Sequence, residues 1–132
     1  YRRDDASISR KITMHEEMKP TDLINRFYDE VMCCNFDYAL SAADPTYFSH
    51  TEKGEIDPAT LALSCKNMMA PLENAKREVL FEFNDGELGA VIHTCSATLR
   101  ETGEPFKIRS ADVYRVRNGK LMEHWGILQP EG

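Results

Sequence analysis

Residues 111–130 read ADVYRVRNGKLMEHWGILQP, and this stretch decides the fold. Asn118-Gly119 is a strong hairpin signal. It predicts a strand over Phe106–Arg117 that turns back into a strand over Lys120–Leu128. Strand side chains alternate between faces, so the turn decides which residues share one. Two registers are open. A two-residue turn at Asn118-Gly119 pairs Asp112 with Trp125. A three-residue turn, with Gly119 in a left-handed bulge position, pairs Asp112 with His124. The second is preferred because it also sets Arg115 diagonally near Glu123. It turns Asp112, Tyr114, Met122, His124 and Gly126 to one face. Val113, Arg115, Leu121, Glu123, Trp125 and Ile127 take the other.

Upstream, Leu88–Leu99 reads as a long strand rich in Val, Ile and Thr. Glu78–Phe83 alternates loosely, with turn chemistry at Asn84-Asp85-Gly86 and at Thr102-Gly103. Before residue 72 the apolar period is helical. Leu23, Ile24, Phe27, Tyr28, Val31 and Met32 form one stripe behind Pro20, with Thr21 or Asp22 as cap. A short helix is expected over Phe36–Ala43, ending before Asp44-Pro45. A third starts with Asp57 as cap and Pro58 at its first position, ends by Pro71, and carries Leu61, Cys65, Met68, Met69 and Leu72 on one side. Tyr47-Phe48-Ser49-His50 is expected to be a short extended segment and Lys53-Gly54 a turn. Residues 1–19 read as a polar N-terminal arm and 20–132 as the domain. Helices first and long antiparallel strands last imply an α+β fold. Its curved antiparallel sheet packs against about three N-terminal helices around a central pocket.

The balance of 16 basic against 22 acidic residues, net charge −6 over 132 residues, argues against nucleic acid as a partner. No apolar run approaches the roughly 20 residues that span a bilayer. The four cysteines, Cys33, Cys34, Cys65 and Cys95, show no CxxC or zinc-finger spacing and are expected to be reduced, buried small hydrophobes of a cytoplasmic protein. No signal-peptide pattern is visible. No metal is expected, since HxH and HExxH spacings are absent, and the absence of GxGxxG, GxxxxGK[ST] and GxSxG motifs argues against nucleotide binding and serine hydrolysis.

An Asp beside a His on the concave face of a curved sheet has chemical meaning. Burial in a partly apolar cavity raises a carboxyl pKa toward the range useful for proton transfer. A nearby imidazole can position it or polarise a carbonyl. Asp112 and His124 are therefore catalytic candidates. His93, between apolar neighbours in its strand, is expected to be buried and hydrogen-bonded. His50 reads equally as a surface or a pocket residue, and His15 as solvated.

The same stretch resembles the C-terminal signature of SnoaL-like proteins, which reads roughly D-[IV]-[FY]-R-V-x-[DN]-G-K-[IL]-x-E-H-W-D-x-x-Q-P. The likeness extends back through Val91-Ile92-His93, Tyr47-Phe48-Ser49-His50 and the helix Leu23–Met32, covering about residues 21–130. The resemblance implies the nuclear transport factor 2-like cone, which ketosteroid isomerases and limonene-epoxide hydrolases share. It also implies a small hydrophobic ligand and a homodimer through the outer sheet face, with Trp125 at the interface. It suggests a cofactor-independent cyclase or isomerase acting on a small apolar carbonyl metabolite, polyketide- or terpenoid-like. Asp112 would be the acid or base, with His124 and His50 as its catalytic partners. His93, Tyr28, Tyr114, Phe48, Met69 and Gly126 would line the substrate pocket. The alternatives are a non-catalytic ligand-binding or dimerisation module, and a lyase or dehydratase using His50 or His93 with Tyr28. The chain departs from the pattern at Gly126, where Asp is usual. That leaves proton transfer to Asp112, or makes Gly126 a widening of the pocket.

Overall fold

The structure is a computed structural model that describes residues 18–50 and 57–130. The expected arm therefore lies almost wholly outside the described residues, as does the Lys53-Gly54 turn. Three helices come first in sequence, α1 (Pro20–Met32), α2 (Phe36–Ala42) and α3 (Pro58–Met69). Strand β1 (Ala43–His50) lies between α2 and α3, and β2 (Leu72–Asp85), β3 (Leu88–Leu99), β4 (Pro105–Arg117) and β5 (Lys120–Pro130) follow. The fold is α+β, with an open curved five-stranded sheet in the order β1-β5-β4-β3-β2.

The sheet is mixed rather than antiparallel, because β1 runs parallel to β5. A parallel pair needs a long crossover, and here α3 and the three other strands supply it. Asp44-Pro45 does not separate helix from strand but lies inside β1, which is an edge strand and so tolerates a proline without a ladder donor. The sheet bends at bulges: β2 shifts register between Glu73 and Lys76 and again between Val79 and Phe81, and β4 against β5 shifts at Arg115/Val116.

Helix α1 starts with Pro20 in its first position. Asp22 caps it from inside the first turn, accepting from the Lys19 backbone N–H at 3.0 Å. Thr21 is not the cap. Its N–H and hydroxyl instead bond the Asn84 side chain at 3.0 and 2.9 Å, fastening the helix to β2. Asp57 caps α3 as expected, accepting from Thr60 N–H at 2.8 Å. The stripe Leu23, Ile24, Phe27 and Val31 packs with Tyr47, Val91, Tyr114 and Leu121 into the core. All four cysteines are free, but Cys33 and Cys34 are exposed rather than buried. They lie just past the end of α1, where Cys34 adopts a left-handed φ of 63° and the apolar stripe has stopped.

The preferred register does not occur, and the two-residue alternative holds only beside the turn. Asn118 and Gly119 both take positive φ and form a two-residue turn that pairs Arg117 with Lys120 and Val116 with Leu121. The bulge then makes Met122 the extra residue, so Arg115 faces Glu123, Tyr114 faces His124 and Asp112 faces Gly126. The shift of two preserves the expected shared face for Asp112, Tyr114, His124 and Gly126. The extra residue at Met122 turns Leu121 inward, fully buried, instead of outward.

The fold brings α1 very close to β3 at Gly89. A Cβ there would stand 2.8 Å from both Ile24 Cδ1 and Pro20 Cβ, and 3.1 Å from the Thr21 backbone nitrogen. Gly89→Ala should therefore lower stability by about 1–3 kcal/mol in urea denaturation, as overpacking does.

Candidate active site

The concave face of the sheet, α1 and α3 enclose a cavity of about 530 Å3. Its walls are largely apolar, with Phe27, Met32, Leu61, Leu72, Phe106 and Ile108 among them. One region is polar, where Ser49, Arg77, His93, Ser110, Asp112 and His124 meet.

Asp112 is the centre of that region. It is buried, at 5% exposure. Its Oδ1 lies 2.7 Å from His124 Nε2, its Oδ2 lies 2.7 Å from His93 Nε2, and Ser110 Oγ donates to Oδ2 at 2.6 Å. Burial pushes a carboxyl pKa up, but here the bonds from His124, His93 and Ser110 and the field of His124 win. They hold Asp112 well below the usual carboxylate range. The expectation of a raised pKa is therefore overturned: Asp112 is a fixed anion, not a proton shuttle at neutral pH.

An ionised carboxylate only accepts, so both Nε2 atoms carry their protons. Arg77 Nε donates to His93 Nδ1 at 2.7 Å, so that nitrogen is an acceptor and His93 is neutral with both nitrogens occupied. Arg77 is itself held by Asn25 Oδ1 at 2.6 Å and Asp29 Oδ1 at 3.1 Å. His124 differs. Its Nδ1 meets Ser49 Oγ at 2.6 Å, and a proton can lie on either side of that bond. Ser49, His124 and Asp112 thus form a hydroxyl–imidazole–carboxylate relay in the cavity wall, with Ser49 itself fully buried.

His124 reaches Asp112 diagonally across the hairpin, stacked on the Tyr114 ring at 4.4 Å. Gly126 is what permits this. A Cβ at 126 would stand 2.7 Å from Asp112 Oδ1 and 2.7 Å from both Cε1 and Nε2 of His124. Tyr114 and Tyr28 share a hydroxyl–hydroxyl bond of 2.7 Å, and burial raises both phenols well above their ordinary value. Each stays protonated, and whichever hydroxyl accepts in that bond keeps its own proton to donate onward. Tyr47, also in the wall, has the one buried side-chain polar atom among the described residues without a proper hydrogen bond. Its hydroxyl sits beside Ser49.

His93, Tyr28, Tyr114, Gly126, Asp112 and His124 all border the cavity. His50 and Phe48 do not. In β1 it is Tyr47 and Ser49 that point inward, so His50 lies on the outer face, bonded to Glu123 at 2.7 Å and stacked on Trp125 at 5.2 Å. Met69 is buried in the core, and its neighbour Met68 borders the cavity instead. Ser49, Arg77 and Ser110 were missed. Ser49 was detectable from strand alternation once the inward parity of β1 is known. Nothing in the sequence marks Arg77, which sits among alternating charges that read as a solvated face. Among the described residues, no group of three or more His, Cys, Asp or Glu is arranged to hold a metal, and no helix is long and apolar enough to cross a membrane.

Comparison with known proteins gives the fold a wider setting. No protein-family model and no curated protein matches the chain. Solved structures do. IdmH from Streptomyces antibioticus, described as a proposed polyketide cyclase, is 20% identical with a TM-score of 0.76, over 84% of this chain and 92% of its own. AclR from Streptomyces galilaeus, described as a proposed hydroxylase, is 16% identical with a TM-score of 0.75, over 83% and 78%. A SnoaL-like polyketide cyclase from Agrobacterium tumefaciens is 13% identical with a TM-score of 0.71, over 85% and 92%. At these identities the likeness shows the fold. It is the cone that the sequence resemblance implied.

Asp112→Asn sets an amide N–H against an N–H of His93 or His124, leaving buried donors unpaired. The variant should lose about 1–3 kcal/mol or more in chemical denaturation at pH 7. The folded-state pKa of Asp112 lies below its unfolded value. Its contribution is thus present above about pH 4 and lost as pH falls further. The wild type should accordingly show a steeper acid loss of stability than Asp112→Asn, measured by circular dichroism across that range.

Proposed function

We propose that this protein is a cofactor-independent acid–base enzyme, a cyclase or isomerase of a small, mostly apolar carbonyl compound. The observation that carries the reading is His124, held between Ser49 and the buried Asp112 anion at the polar end of an apolar cavity. Ser49 takes a proton from the carbon beside the carbonyl as its own proton passes to His124 Nδ1. Asp112 stabilises the imidazolium that forms and fixes the ring. The enolate oxygen meets the free phenolic proton of the Tyr28–Tyr114 pair. Return of the proton to another carbon isomerises the compound, and attack of the enolate on a second carbonyl closes a ring as the new alkoxide takes the proton back from His124 through Ser49. Gly126, the departure from the resembled pattern, makes room for the His124–Asp112 bond and so favours the enzyme.

Deuterium exchange at the benzylic carbon of 2-tetralone, a bicyclic ketone of suitable size, followed by NMR, tests the chemistry. The wild type should catalyse exchange. His124→Ala should lose about 10²–10⁴-fold in rate, with part of the loss restored by added imidazole. An unchanged rate in the folded variant would overturn the assignment.

We further propose that the outer sheet face pairs with a second copy of the chain. The register lines up Phe81, Ile92, Ala111 and Ile127 in one row across four strands, with Phe83, Ala90, Val113 and Trp125 in the next. Phe81, Phe83 and Ile127 are 59%, 60% and 67% exposed, a continuous apolar band that favours cover. Sedimentation should give a dimer for the wild type and a monomer for Phe81→Lys/Ile127→Lys. A wild-type monomer throughout a dilution series would refute the pairing.

A further inference from the structure

We infer that Ser49 is also a nucleophile, and that the cavity supports transfer of a short acyl group from an ester to water through Ser49. Three observations lead there. The first is the relay itself. A serine hydroxyl 2.6 Å from an imidazole, whose far nitrogen is 2.7 Å from a buried carboxylate, meets the geometric requirement for an activated alcohol. The ring is used in the opposite sense from the familiar hydrolase triad, with Nδ1 toward the nucleophile and Nε2 toward the acid, and the roles are unchanged.

The second is Tyr47. Its hydroxyl lies two residues along the same face of β1, beside Ser49, and is buried without a proper hydrogen bond. A buried polar group left unpaired calls for an explanation. A donor waiting for an oxygen that develops charge only during the reaction supplies one. Burial raises its phenol, so it stays protonated to donate.

The third is the rest of the cavity. Beyond the polar end lie Phe27, Leu61, Met68 and Leu72, apolar side chains suited to a short hydrocarbon chain. The two thiols that share the cavity do not compete with Ser49. Burial pushes Cys65 up to about 11 and raises Cys95.

The chemistry balances with water as the only co-reactant. Ser49 Oγ bonds to the ester carbonyl carbon, its proton moves to His124 Nδ1, and the carbonyl oxygen takes negative charge opposite Tyr47. The bond to the leaving alcohol breaks as that alcohol takes the proton from His124. A water then repeats the sequence on the acyl-serine, releasing a carboxylic acid and restoring Ser49.

The probe is 4-nitrophenyl butyrate with the full chain. The wild type should release a burst of nitrophenolate and gain the mass of one butyryl group. Peptide mass spectrometry should place that group on Ser49 and not on the exposed Cys33 or Cys34. Ser49→Ala should lose the adduct. Ser49→Cys, which keeps a nucleophile of similar size, should carry it as a thioester. His124→Gln should slow acylation by about 10²–10⁴-fold. An adduct confined to other residues, or absent from both the wild type and Ser49→Cys, would overturn the inference. Because 2-tetralone contains no ester, exchange without acylation removes this inference and leaves the acid–base reading standing. Loss of exchange as well removes both.

Discussion

One buried carboxylate organises the interior of this protein. Removing a carboxylate from water costs several kcal/mol even after relaxation. Asp112 stays charged because three donors converge on its two oxygens. Bonds to a charged group contribute about 1.5–3 kcal/mol each after exchange with water, so three of them favour the buried anion. The donors come from β3, β4 and β5, so the anion ties three strands together from inside the cone. It also extends beyond the sheet. His93, neutral between Asp112 and Arg77, joins a negative and a positive buried group through one ring, and Arg77 reaches Asn25 and Asp29 on α1.

That arrangement divides labour between two histidines that look alike in the sequence. His93 has a donor proton committed to Asp112 and an acceptor nitrogen committed to Arg77, so it is a strut. His124 has one side committed and the other turned to a serine hydroxyl that borders the cavity. The difference comes from the neighbour on Nδ1, a guanidinium in one case and a hydroxyl in the other.

Much of the fold was legible from sequence because its signals are local. The bounds of β3 and α3 follow from a strand-type run and from Asp57-Pro58, and the order of helices before strands gives the class. Two features escaped for the same reason. The Met122 bulge and the parity of β1 depend on contacts between distant strands. Tyr47-Phe48-Ser49-His50 contains bulky and polar residues on both faces, so its pattern does not choose which side is inward. The resemblance alone puts His50 and Phe48 at the pocket. The sheet chose Tyr47 and Ser49. The faces of Asp112 and His124 survived an incorrect register because the true one differs by two residues, and an even shift leaves faces unchanged.

Gly126 then explains itself through the same geometry. In the pattern this sequence resembles, a carboxylate usually stands at that position. Here the space its Cβ would need is filled by the edge of the His124 ring and by Asp112 Oδ1, each at 2.7 Å. A side chain at 126 would therefore force the His124 ring or the Asp112 carboxylate to move, so the bond as it stands depends on the glycine. The glycine is not a deletion of function from an otherwise unchanged site. It is the condition for the His124–Asp112 bond, which helps to hold the carboxylate of β4 charged. A carboxyl that titrates at neutral pH would need the opposite environment, apolar and short of donors. Asp112 has three donors, and with Gly126 beside it the third can reach.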